Sequence, residues 1–234
     1  MRKFRLILSF ALAAAAFAAS AGPALRPKAH YGEIGRRVAA MLPRHHILRQ
    51  PLNDAVSRKA WTNIVTFYDV DHTIFLKSDV ERLASRMLTI DDELKAGDVS
   101  FGYAVRALYS ARLAERIAFA TNFLAGTEWD FSEKETYCIS RKDSPWPETR
   151  EEAEELWRRR IKNEYLAMTL SREIDAEEKA DDGGKDAEAG GGESGPKDDF
   201  REPELSVGAS LVKKYLQYYR VMTEPDEENV LQYY

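Results

Sequence analysis

The chain has 234 residues, of which 44% are hydrophobic and 31% charged, so there is apolar material for one packed domain or two small ones. Its formal net charge of −5 leaves no overall excess of positive charge to draw the whole protein onto nucleic acid or anionic lipid, and no nucleic-acid partner is expected. The single cysteine, Cys138, excludes an internal disulfide, so stability must come from apolar packing.

In chain order, Arg2, Lys3 and Arg5 precede the apolar run from Leu6 to Ala19, and Ala19-Ser20-Ala21 puts small residues where a signal peptidase reads. Residues 1–21 are therefore expected to be a cleavable signal peptide, cut between Ala21 and Gly22, that exports the protein from the cytoplasm. The run falls short of the roughly 20 residues needed to cross a bilayer, so no stable membrane insertion is expected after cleavage. Loss of the three leader cations takes the net charge from −5 to −8.

Residues 22–174 read as the first part of a mainly α domain. Ile34, Val38, Met41 and Leu42 have helical spacing over Tyr31 to Leu42, and Pro43 is expected to close that helix. His45 and His46 are adjacent and cannot face one metal from a helix, so they read as a polar connection. Asn53 or Asp54 caps a second helix carrying Val56, Ala60, Trp61, Ile64, Val65, Phe67 and Tyr68. Ser78 with Glu81 forms a capping box for a third, which presents Val80, Leu83, Ala84, Met87, Leu88 and Leu94 and stops at Gly97.

The longest regular stretch is expected from Phe101 to Leu124, with Val105, Leu108, Tyr109, Leu113, Ile117, Ala120 and Leu124 in one stripe and Arg106, Arg112, Glu115 and Arg116 on other faces. Gly126 ends it. Trp129 to Pro147 is then an aromatic-rich loop packed over the helices, in which Cys138 reads as a small half-buried thiol beside Tyr137 and Ile139. Thr149 with Glu152 caps a further helix that buries Leu156, Trp157, Ile161, Tyr165 and Met168 and ends near Ile174. Glu151, Glu152, Glu154 and Glu155 sit at its positive end as a solvated helix start.

Residues 175–204 are expected to form a disordered, acidic, Gly-rich linker, because they offer almost no apolar surface to repay ordering. Residues 205–234 resume helical spacing through Leu211, Val212, Tyr215, Leu216 and Tyr219, pause at Pro225 and restart at Asp226. They read as the C-terminal helices of the same domain.

Two functional readings compete for the centre of the chain. Ile64 to Tyr68 followed by Asp69, Asp71 and Thr73 resembles the opening of a haloacid-dehalogenase-type phosphatase, which implies Asp69 as nucleophile, Asp71 as acid/base and a magnesium ion. Such a site needs a parallel sheet around it, and the residues after Phe75 have helical periodicity throughout.

A longer ordered series supports the other reading: Asp69; Phe75 to Val80; Asp92-Glu93-Leu94 with Gly97-Asp98; Trp129-Asp130-Phe131 before Glu135-Thr136-Tyr137; Arg141 to Pro147; and Leu156-Trp157-Arg158. In order and spacing it resembles the N-terminal domain of bacterial tail-specific proteases, the periplasmic C-terminal processing peptidases. The resemblance implies a helical domain that contributes to substrate admission or adaptor docking. It also implies that the PDZ module and the Ser/Lys catalytic region lie beyond this sequence, as in a truncated or split gene product.

On that reading no catalytic residue, cofactor or metal ligand is assigned. The partner is a protein: the protease region, an adaptor or a polypeptide substrate. A free-standing adaptor or inhibitor of another protease is the third reading.

Overall fold

The computed structural model describes residues 25–47, 49–183 and 205–224. Seven helices follow one another there: α1 (Ala29–His45), α2 (Asp54–Tyr68), α3 (Lys77–Ala84), α4 (Ile90–Ala96), α5 (Ser100–Gly126), α6 (Arg150–Gly183) and α7 (Val207–Thr223). No strand occurs among the described residues, and the fold is mainly α. The expected signal with its Ala21/Gly22 cut, most of the expected linker, and the segment from Pro225 onward lie outside them.

The axle is α5. Its stripe of Val105, Tyr109, Leu113, Ile117, Ala120 and Leu124 is buried. It is flanked by α2, α6 and α7, which contribute Ile64 and Val65, Trp157 and Ile161, and Leu211 and Tyr215 to the same core. Each fully buried side chain of this size contributes about 1.5–3 kcal/mol, so the helices hold together through this shared interior. A smaller cluster of Ala39, Leu94, Val99 and Tyr103 seats α1 against α4. Gly32 and Gly35 on α1 let the two backbones approach, and Gly97, with φ 83°, closes α4 in the left-handed conformation that glycine adopts without strain.

Several expected boundaries move for identifiable reasons. Pro43 lies inside α1, because the His46 N–H still donates to the Leu42 carbonyl at 3.1 Å and completes the turn beyond the proline. Asn53 caps α2 as expected, accepting from the N–H groups of Ala55 and Val56. Ser78 is not the cap of the next helix. The Pro147 carbonyl holds the Lys77 N–H at 2.8 Å and starts α3 earlier, so Leu76 is the cap and Asp79, rather than Glu81, accepts the Leu76 N–H.

The single helix expected from Ser78 to Gly97 is two. Trp61 Nε1 donates to the Leu83 carbonyl at 2.9 Å, and Ser57 Oγ both accepts the Asp91 N–H and donates to the Asp91 carboxylate, pinning the start of α4 to α2. Tight turns over Ser85 to Thr89 absorb the change of direction. Downstream, α6 continues past Ile174 to Gly183, since Ala, Glu and Lys sustain a helix that lacks an apolar face.

Two side chains were misplaced by pattern. Arg116 points into the core and is 1% exposed, because it falls three residues after Leu113 on the buried stripe. Cys138 is exposed, as is Ile139, so the loop around it gives no half-buried niche.

Candidate functional site

The Asp69-x-Asp71-x-Thr73 segment leaves the C-terminus of α2, and Asp69 turns inward at 3% exposure. Its Oδ1 accepts the N–H groups of Thr73 (2.7 Å) and Ile74 (3.1 Å), and its Oδ2 accepts those of Ile74 (3.2 Å) and Phe75 (3.0 Å) and Trp146 Nε1 (3.0 Å). Burial pushes the Asp69 carboxyl above the usual aspartate value, and the N–H donors pull against that rise.

The surrounding turn is fixed from the other side. His72, at φ 52°, stacks on Trp146 with ring centroids 3.6 Å apart and donates from Nδ1 to the Ser144 carbonyl. Trp157 Nε1 donates to the Thr73 carbonyl at 2.8 Å, and the Arg116 guanidinium reaches the Ile74 carbonyl at 3.5 Å.

This geometry decides what the carboxylates can do. A nucleophilic aspartate needs a lone pair facing a substrate, and both Asp69 oxygens are occupied by N–H donors inside the protein. Asp71 is separately engaged, accepting the Arg141 N–H at 3.2 Å, and both residues follow a helix rather than a strand. Asp69, Asp71 and Thr73 are therefore brought together as a knot that ties the α2–α3 turn to the Trp146 loop. The phosphatase reading is corrected accordingly, because Ile64 to Tyr68 is the last part of α2.

Next to the knot, Arg112 grips Asp79 with Nε at 2.6 Å and Nη2 at 3.0 Å, and its Nη1 reaches Glu115. Burial raises the Asp79 carboxyl, but the Arg112 fork, the Leu76 N–H and Arg82 outweigh it and hold Asp79 below the usual aspartate range. These groups brace α3 against α5. Both Asp79 oxygens are taken by these donors.

A concave surface exists elsewhere, between α6 and α7. A groove of 330 Å³ is lined by Trp157, Arg160, Lys214, Tyr215, Tyr218 and Val221. Trp157 and Tyr215 are nearly buried, whereas Tyr218 and Val221 are 42% and 63% exposed. Arg160 lies over the Trp157 ring at 4.9 Å, and Glu164 pairs with both Arg160 and Lys214 at 2.9 Å. Burial works against the Glu164 charge, and the two cations overcome it and hold its carboxyl low. Tyr109 and Tyr218 share a hydroxyl contact at 3.2 Å, which fixes one wall of the groove to α5.

Sequence reasoning did not single out this groove, although Tyr215 and Tyr218 at helical spacing beside Lys214 were a usable signal. His45 and His46 sit exposed at the end of α1. Among the described residues, no cluster of three or more His, Cys, Asp or Glu side chains is arranged to hold a metal.

A mainly α domain whose acidic turn is a structural knot and whose α6–α7 groove is aromatic and cationic is what fold and geometry define. A family model for the tail specific protease N-terminal domain matches residues 38–234, and the chain belongs to that family. It is also 28% identical over 136 residues to the Tail-specific protease of Haemophilus influenzae. That match takes in 58% of this chain and 19% of the relative, so the chain spans about a fifth of the length of the curated protein it matches.

Proposed function

We propose that this chain is the non-catalytic helical domain of a periplasmic tail-specific protease, in which it admits unstructured polypeptide substrates or docks an adaptor that delivers them. No residue of this chain is assigned to the Ser/Lys chemistry that the family resemblance implies. The observation that carries the reading is the contrast between the two polar centres. The Asp69 carboxylate is fully engaged by internal donors, whereas the α6–α7 groove leaves aromatic surface and cationic hydrogen-bond capacity open to a partner.

An extended polypeptide suits that groove. An apolar side chain packs on Tyr218 and Val221, and the ammonium of Lys214, 56% exposed and holding one partner in Glu164, has N–H donors left for backbone carbonyls. Aromatic anchors in a partly desolvated groove are the positions where truncation costs binding most. The test is a fluorescence-anisotropy titration of a labelled unstructured polypeptide. Tyr218→Ala and Val221→Asp are each expected to weaken binding about thirtyfold, the scale of a hot-spot residue. Unchanged affinity in both variants would remove the groove from the account.

A further inference from the structure

The helix α1 is built the opposite way from an ordinary packed helix. Its contact with α4 is made by Gly32, Gly35 and Ala39, with Tyr31 packed beside them, while Ile34, Val38 and Met41 are left outside. Ile34, Val38 and Met41 are 50%, 41% and 56% exposed, and Ile47 just beyond the helix is 91% exposed. The positions i, i+4 and i+7 put the three helical residues on one line.

Charge follows the same line. Residues 26–50 contain six Arg and Lys side chains against one acid, Glu33, in a chain whose net charge is −5. Arg37, which pairs with Glu33, and Arg44, one heptad on, stand along one edge of the stripe, and Arg26 and Arg49 are exposed beyond its two ends. Among the described residues, the unpaired cations of this face are therefore chiefly Arg44, Arg26 and Arg49. Screening over about 8–10 Å at ordinary salt makes this local excess, rather than the negative total, the field that a nearby surface feels.

We propose that this face of α1 is an interfacial membrane-binding surface that lays Ile34, Val38 and Met41 into the headgroup region of a bilayer containing anionic phospholipid. A convex single-helix face with an apolar line and cations along its edge and ends fits a lipid interface, which needs no complementary shape. Such a line of anchors would also fit a partner's groove; it is the excess of cations beside it that selects an anionic lipid surface. The helix lies on the surface. No helix among the described residues is long and apolar enough to cross a membrane.

The experiment is co-sedimentation of the chain lacking residues 1–21, all described structure being retained, with vesicles of phosphatidylcholine alone or with phosphatidylglycerol added. Binding is expected only to the phosphatidylglycerol vesicles and is expected to fall steeply as salt rises. Arg44→Gln with Arg49→Gln should weaken it by about five-fold per charge removed. The triple change Ile34→Gln, Val38→Gln, Met41→Gln should abolish it while circular dichroism and melting temperature stay as in the parent. These positions are solvent-exposed, so the fold does not depend on them. Absence of binding at low salt, equal binding to both vesicle types, or full binding by the triple variant would each overturn the proposal. So would saturation of the same face by an acidic polypeptide with no binding to vesicles.

Discussion

Trp146 and Asp69, 77 residues apart in the chain, are joined by one hydrogen bond from indole Nε1 to carboxylate Oδ2 at 3.0 Å. That bond closes the knot, because the same carboxylate collects the backbone N–H groups of Thr73, Ile74 and Phe75. The aromatic loop before α6 is thereby tied to the end of α2 through an aspartate that pattern alone assigns to catalysis.

Removing the carboxylate should therefore destabilise the fold. Asp69→Ala leaves buried N–H donors without an acceptor and is expected to cost about 3 kcal/mol or more, since each unsatisfied buried group carries its own desolvation penalty. Trp146→Phe keeps the aspartate's backbone partners and should cost only about 1–2 kcal/mol. Urea unfolding of the two variants gives the ranking directly.

The Asp79–Arg112 pair makes a prediction about acid. The folded-state carboxyl is held below its usual value, so its stabilisation is present above the unfolded aspartate pKa of about 3.9 and is lost as pH falls through the folded value. Asp79→Asn should be destabilised at neutral pH by about 2 kcal/mol, the scale of a charge-assisted hydrogen bond. The gap between variant and parent should narrow as pH drops below that unfolded value. Urea unfolding across an acid series reads the gap, and a constant difference would mean that Asp79 does not stabilise through its charge.

Packing of α1 on α4 depends on a bare backbone approach. A Cβ on Gly32 would lie 2.5 Å from the Gly97 carbonyl oxygen, whereas one on Gly126 meets nothing within 4 Å. Gly32→Ala should destabilise by about 1–3 kcal/mol, as overpacking does. Gly126→Ala should be neutral or stabilise by up to about 1 kcal/mol. Thermal melts of the pair separate the two effects.

Most helices were legible because their apolar residues recur at helical spacing and polar caps such as Asn53 mark their starts. What was not legible depended on partners distant in sequence. The break between α3 and α4 is made by Trp61 and Ser57 reaching across from α2, and the early start of α3 by the Pro147 carbonyl. Arg116 read as a surface cation because its residue type argues for solvent while its helical position argues for the core. The Asp69 knot was half legible. Its place in the longer ordered series pointed to the family, but only the fold puts Trp146 against the carboxylate.

The claim on which the rest depends is that this domain handles polypeptide without performing chemistry on it. The direct measurement is to incubate the purified chain with a labelled unstructured polypeptide and follow anisotropy and fragment masses in the same sample, with a phosphate ester and magnesium in a parallel one. The account predicts saturable binding, an intact polypeptide and an intact ester. Fragments that persist after contaminating proteases are excluded, or magnesium-dependent ester hydrolysis lost in Asp69→Asn, would contradict it.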